Sequence, residues 1–488
     1  MHTDSPERRE RAVLLAQVAL AAFLYGGLFL SFGIGLADNG DYTRAMGWLT
    51  SGPATIEPNW PPGGTEAYRR RFYSYWIPYW KLDWPLAPDV LSSTILLWLP
   101  GAALNWLFYS RRILYLPFVS FVPRLCVLLL YVTVLRWSGW RTGGGAARWA
   151  ATIGVGASLA LLFMAHDYVA FFNSFYRETG TIVYLLAFLV SLAMLDTVHR
   201  ERTALLLAAL SLALLATAKV TNVYWPVLAF PFLLLARGGR RRVAAVTGAV
   251  LLSGALGLVV FRRAELPRNR DYQAFSSLYT GLLMFSDRPA DHLTRLGLPE
   301  TTNFVGKMCY HPEASPWLDG NPGRLSIGTT LNVVLHEPSA YARELYFAAR
   351  EMNDTAPRLG VRAEGDPAPP RRRSVQQLWS VLKNRTFPRG GALFVALGVF
   401  VAVFAAGLRA STPLRQLSLV GLLATAAIPV DMTVAILGAG TADVKRHMLT
   451  ANLLFDLALI AACTIGVLHV VRLARARAGD TDPAISRP

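Results

Sequence analysis

Apolar residues fall into runs of roughly fifteen to twenty-five, and the short segments between those runs carry arginine. The pattern predicts an all-α polytopic membrane protein of about ten transmembrane helices, at residues 12–36, 118–137, 147–165, 180–197, 203–218, 222–236, 243–261, 390–408, 417–436 and 449–470. The first run follows Arg8, Arg9 and Arg11. It is too long for a removed signal peptide and lacks a cleavage site, so it reads as a spanning helix with a cytoplasmic N-terminus.

Residues 91–109 keep helical spacing through Leu91, Ile95, Leu99, Ala102 and Trp106, but Ser92, Ser93, Thr94 and Asn105 interrupt the run and Pro100 would kink it. If this segment spanned, the loop holding Arg136, Arg141 and Arg148 and the cluster Arg237, Arg240, Arg241 and Arg242 would both fall outside. It is therefore expected to lie on the outer surface as an amphipathic helix. Inner segments then collect Arg200, Arg202, the 237–242 cluster, Arg409, Arg415 and the tail arginines Arg472, Arg475 and Arg477, with both termini cytoplasmic.

This topology divides the chain in three: an N-terminal membrane module over 1–261 with a first outer loop at 37–117, a long extracytoplasmic loop region over 262–389, and C-terminal membrane helices with a cytoplasmic tail over 390–488. Hydrophobic periodicity fades in 262–389, and loops of that length translocate regardless of charge. Within it, 271–285 reads as a surface-lying helix and 356–373 as a flexible linker.

The chain has 488 residues, 53% hydrophobic and 16% charged, with a formal charge of +17. Because the positive residues lie between apolar runs instead of forming one basic stripe, they argue for membrane orientation and against a nucleic-acid partner. Three cysteines, two of them (Cys126 and Cys463) inside apolar runs, indicate neither a disulfide framework nor a thiolate metal site. No phosphate loop, dinucleotide-binding glycine pattern, zinc-ligand spacing or internal repeat is present.

In this topology the candidate chemistry emerges on the outer face. The stretch Asp38-Asn39-Gly40-Asp41-Tyr42-Thr43-Arg44 sets two carboxylates and an arginine where the first helix ends, in the layer occupied by lipid phosphate. Asp41 also fits as the N-cap of a helix beginning at Tyr42, and at this point both readings stand. Asn173-Ser174-Phe175-Tyr176-Arg177-Glu178 precedes another helix, where Glu178 suits the helix dipole as well as a site. Lys219 stands at a helix end, where simple snorkelling is its plain alternative. Asp443-Val444-Lys445-Arg446-His447 concentrates cations before the last helix, suited to gripping phosphate, with a solvated turn as the plain alternative. Asp431 is an intramembrane acid and so a functional candidate.

The order of these motifs resembles the integral-membrane C-type (GT-C) glycosyltransferase superfamily. More narrowly, Asn39-Gly40-Asp41-Tyr42 with Arg44, Asn173-Ser174-Phe175-Tyr176 with Glu178, Leu296-Gly297-Leu298-Pro299, and Asp443 with Arg446-His447 look like bacterial glycan-biosynthesis hexose transferases of the WsfD type. The resemblance implies a helical bundle with a catalytic first loop and a hexose donated from a polyprenyl phosphate, and does not identify the acceptor; a cell-surface glycan or lipid-linked acceptor on the outer face of a bacterial inner membrane is expected. Where it implies a further acid before Asp443, this chain has Gly438-Ala439-Gly440.

By role, Asp41 or Asp38 is expected to be the general base, oriented by Arg44. Asn173 and Glu178 are expected to bind sugar or acceptor hydroxyls, Arg446, His447 and Lys219 to hold the phosphate, and Tyr176, Asp443 and Lys445 to complete the substrate-binding set. No cofactor is required, although Asp38 and Asp41 with phosphate suit one divalent cation, Mg²⁺ or Mn²⁺. Two other classes compete. An O-antigen-type polymerase or ligase would draw on the long loop, where Arg324, His292, His311 and His336 are available. A lipid-linked glycan flippase or transporter would need midplane polar residues and a pseudo-repeat, of which only Asp431 is seen.

Overall fold

The computed structural model describes residues 6–30, 42–54, 77–88, 90–137, 145–195, 201–235, 240–263, 267–354, 375–410, 412–441 and 444–477. The 356–373 linker lies outside them, as do Asp38, Asp41 and Asp443. The membrane module begins with α1 (Pro6–Phe29), the short α2 (Tyr42–Met46), strand β1 (Tyr79–Lys81), α3 (Ile95–Phe108) and strand β2 (Ile113–Tyr115). It continues through α4 (Leu116–Leu135), α5 (Gly145–Phe163), α6 (His166–Phe172), α7 (Glu178–Ala193), α8 (Glu201–Ala218), α9 (Trp225–Leu235) and α10 (Arg240–Arg263).

Among the described residues, five helices are long and apolar enough to cross a membrane: Glu10–Phe29, Leu116–Leu135, Val243–Val260, Leu414–Ala439 and Leu449–Val470. Counting each of two bent pairs as one span gives seven. Thr152–Phe163 turns by 55° into α6, where Ala165 takes an extended backbone (ψ 133). Three predicted runs are the shorter helices Glu178–Ala193, Arg202–Ala218 and Val220–Leu235. At about 1.5 Å per residue, sixteen residues cover roughly 24 Å of a core about 30 Å thick. By length alone, five to seven crossings therefore stand where ten are predicted. Nearly all of α7 is buried by other helices, so it need not match the lipid thickness.

One departure from an all-helical chain is the ribbon in which β1 pairs antiparallel with β2, Trp80 opposite Leu114. Asn105, which breaks the apolar pattern of α3, explains this turn. Its Nδ2 donates to the Ser110 and Ile113 carbonyls at 2.9 and 2.8 Å, and its Oδ1 accepts from the Tyr115 amide at 2.9 Å. Ser92 and Ser93 likewise fasten the approach to α3, donating at 2.6 Å to the carbonyls of Ala218 and Leu214 near the end of α8.

Residues 267–354 hold α11 (Pro267–Phe275), α12 (Pro289–Arg295), α13 (Ala314–Gly320), α14 (Ile327–His336) and α15 (Pro338–Glu351) around a second hydrophobic cluster. The segment expected to lie on the surface at 271–285 is instead the middle of that cluster. It passes from α11 into a π turn at Ser276–Gly281 and a 3₁₀ turn at Leu282–Phe285, with Phe275, Leu278, Tyr279 and Leu282 fully buried. The reason is aromatic packing: Phe275 and Tyr279 lie 4.4 Å apart and both meet Phe304 at 6.0 Å.

A polar clasp centres on Glu337, which accepts from Ser286 Oγ at 2.6 Å, the Asp287 amide at 3.0 Å and Arg343 at 2.7 Å, with His292 Nε2 at 2.9 Å. Burial alone would raise its pKa, but the Ser286, Asp287 and His292 contacts pull it down to about 2.

The chain ends with α16 (Val375–Thr386), α17 (Gly391–Gly407), α18 (Thr412–Ala439), the one-turn α19 (Val444–His447) and α20 (Leu449–Arg477). α16 and α17 meet at 106°, where Pro388 is followed by Gly390 at φ +57. This turn carries Lys383 into the bundle. Its Nζ stands 2.8 Å from Asp456 Oδ1 on α20, both side chains fully buried, in a contact lacking the alignment of a hydrogen bond. Tyr168 Oη and Trp379 Nε1 donate to Asp456 Oδ2 at 2.7 and 3.1 Å.

Removing one member of a buried pair strands the other charge, at a cost of about 3–5 kcal/mol, whereas an apolar replacement of both is close to neutral. Asp456→Ala is therefore expected to lower the thermal midpoint of the detergent-purified protein sharply, and Lys383→Met with Asp456→Leu to recover most of it. A second expectation concerns Glu344 of α15, which is fully buried. Among the described residues neither of its carboxyl oxygens has a hydrogen-bond partner, and burial pushes its pKa from 4.5 up to about 8. Between those values the unfolded chain releases this proton while the folded chain keeps it, so stability falls as pH rises across that window. Melting curves from pH 4.5 to 8 should fall less steeply for Glu344→Gln than for the wild type; parallel curves would refute the assignment.

Candidate functional site

A cavity of about 300 Å³ opens where several helices stop, and each break supplies one or more of its side chains. The loop between α6 and α7 is fixed first. Ser174 Oγ and Thr179 Oγ1 both donate to the Phe171 carbonyl at 2.6 Å. Phe175 is fully buried between the edges of Trp80 and Trp98, with ring centroids 5.0 and 5.5 Å away. That clamp leaves Tyr176, Arg177 and Glu178 along the cavity.

The break between α8 and α9 brings in Lys219, whose backbone is extended (φ -148, ψ 144) before the 3₁₀ turn Val220–Asn222. Asn222 Nδ2 donates to Thr181 Oγ1 of α7 at 2.8 Å, and Lys219 Nζ reaches Glu178 Oε1 at 2.8 Å. The break between α18 and α20 supplies Arg446 and His447 from α19. Gly440 ends α18 at φ +59, packed so closely on the π turn that an added Cβ would lie 2.4 Å from the Ser276 carbonyl oxygen. Thr441 Oγ1 donates to the Thr280 carbonyl at 2.7 Å, which holds that end in place. The Arg446 guanidinium lies 5.2 Å from the Tyr176 ring centre, and its Nη2 is 3.5 Å from His447 Nε2. Arg44 enters from α2.

Six of the candidate residues therefore line one cavity: Arg44, Tyr176, Glu178, Lys219, Arg446 and His447. With Arg177 added, the described residues lining the cavity include four cations and one carboxylate, Glu178, which Lys219 pairs. Such an excess of positive charge at the end of an apolar bundle suits an anion. Among the described residues no cluster of three or more metal-binding side chains occurs. Glu178 is the cavity's one described carboxylate, so a divalent cation would depend on Asp38 and Asp41.

Other candidates are placed elsewhere. Asn173 is buried behind the cavity and accepts from Arg124 at 2.5 Å. Lys445 points away from its neighbour Arg446, pairing with Asp354 and, at 3.3 Å, with Glu351 at the end of α15. Asp431 accepts from Tyr224 at 3.0 Å and from the Ala451 amide at 2.9 Å, so it caps the first turn of α20. Of the residues favouring a ligase, His292 is held by Glu337, His336 Nδ1 lies 2.8 Å from the Asn332 carbonyl, and Arg324 pairs with Glu300 at 3.0 Å.

Sequence reasoning missed one whole side of the cavity, formed by Tyr272, Gln273 and Ser276 with Met308, Cys309 and Tyr310. Burial pushes the Cys309 thiol up, so it faces the cavity as a neutral group.

A family model described as the YfdI N-terminal transmembrane domain matches residues 4–482. No curated protein sequence matches the chain. Among solved structures, the crystal structure of the Archaeoglobus fulgidus oligosaccharyltransferase in the apo form is similar at 15% identity and a TM-score of 0.37. The match covers 96% of this chain and 52% of that one, so the chain spans about half the length of that enzyme.

Proposed function

The chain belongs to the YfdI N-terminal transmembrane domain family, and from that membrane-embedded premise we propose that it is a glycosyltransferase. It moves a hexose from a polyprenyl-phosphate donor to a cell-surface glycan or lipid-linked acceptor, on the extracytoplasmic face of a bacterial inner membrane. The observation that carries this reading is the convergence of Arg44, Arg177, Lys219 and Arg446 on one cavity at the helix ends.

In the reaction the acceptor hydroxyl oxygen attacks the anomeric carbon while the bond from that carbon to the phosphate oxygen breaks. The departing polyprenyl phosphate keeps the electron pair, and its growing charge is met by Arg446, Arg44 and Lys219. The acceptor proton passes to a carboxylate, for which Asp41, three positions before Arg44, is the first choice and Asp38 the second. Pairing with Lys219 leaves Glu178 in its charged form to bind hydroxyl groups of the sugar or acceptor. The location of His292, Arg324 and His336 in contacts of their own supports a transferase over a ligase.

The test is transfer of radiolabel from synthetic polyprenyl-phosphate glucose, galactose and mannose to a membrane-lipid extract by the purified protein. Loss of the base is expected to slow transfer about 10²–10⁴-fold in Asp41→Asn or Asp38→Asn. Arg446→Gln should lower it about 10²–10³-fold. Donor left intact while an oligosaccharide-lipid is joined or moved would replace this reading with the ligase or flippase one.

A further inference from the structure

The two sides of the cavity differ in chemistry. Among the described residues, its cations come from the membrane helices and their breaks, whereas the side built from residues 267–354 carries no charge. That side presents two tyrosines, an amide and a hydroxyl. Tyr272 and Tyr310 meet edge to face, ring centroids 5.5 Å apart at 76°, and Tyr310 is 67% exposed. Beneath them Cys309 and Ser276 are buried. The support is rigid, because Tyr272 packs against the aromatic cluster of Phe275, Tyr279 and Phe304. Ser276 begins the π turn, a local irregularity that recurs at functional sites.

We infer that this uncharged side is a saccharide subsite for the acceptor: Tyr272 and Tyr310 stack on the C–H faces of a sugar ring, and Gln273 bonds its hydroxyls. The inference rests on the transferase reading and assigns the half of the cavity which that reading leaves unused. A sugar ring offers polarised C–H groups to an aromatic face and hydroxyls to an amide, and it needs no countercharge. The polyprenyl chain is a poorer occupant. It offers the Gln273 amide and the Ser276 hydroxyl no hydrogen-bonding partner.

Two binding measurements on the detergent-purified full chain test this. Saturation-transfer NMR reads binding of free oligosaccharides of glucose, galactose, mannose and N-acetylglucosamine; thermal stabilisation reads binding of decaprenyl phosphate. Tyr310→Ala and Tyr272→Ala are expected to weaken the oligosaccharide signal about tenfold while leaving the decaprenyl phosphate shift unchanged. Tyr310→Phe should restore most of the binding, since it keeps the ring, and Arg446→Gln should do the reverse of the alanine variants. Weakened decaprenyl phosphate binding in the tyrosine variants would assign this side to the lipid and overturn the inference. Failure of the wild type to bind any oligosaccharide at millimolar concentration would overturn it too. Oligosaccharide binding without decaprenyl phosphate binding would instead sink the donor assignment and leave the saccharide subsite standing.

Discussion

A cation in an apolar bundle must be met by polar groups: Arg124 within α4 meets the Asn173 side chain, and around the cavity the helices themselves are interrupted. Lys219 sits where α8 gives way to a 3₁₀ turn, Arg177 where α6 has ended and α7 begins, and Arg446 on the single turn between α18 and α20. The interruptions free backbone groups that need partners, and side chains supply them: Thr179 donates to the Phe171 carbonyl, Ser92 donates to the Ala218 carbonyl, and Asp431 accepts from the Ala451 amide. The same breaks that make room for charge thus also fix where it points.

Two other buried sets of charges are closed on themselves. Lys383 and Asp456 neutralise one another inside the bundle, and Glu337 is ringed by donors. Both are closed arrangements that anchor α16 and the 267–354 region. The cavity differs in that, among the described residues, four cations and one carboxylate line it.

The apolar runs of the long helices were legible in the sequence because lipid-facing surfaces need continuous hydrophobicity. Helix length was less so: α7 is wrapped by protein, and a wrapped helix can be short and still read as a spanning run. Arg44, Lys219 and Arg446 stood out because they cluster with acids and polar residues at the ends of apolar stretches expected to emerge on the outer face, where the positive-inside bias does not place them, but Lys445 shows the limit of that signal. Composition marks Lys445 and Arg446 alike, and only the packing reveals that one faces Asp354 and the other the cavity. The uncharged side was invisible. Tyr272 and Tyr310 are thirty-eight positions apart in a stretch without periodicity, and a buried aromatic cluster brings them together.

That divergence between Lys445 and Arg446 has a geometric corollary. Successive residues on a helix point about 100° apart, so a single turn can serve two masters only in one rotational phase. Lys445 engages Glu351 and Asp354 while Arg446 lies over Tyr176. The turn α19 is therefore a gauge of fixed pitch: its side chains can be exchanged one at a time, but a residue inserted or deleted within it would part the anchor from Asp354 or the arginine from Tyr176.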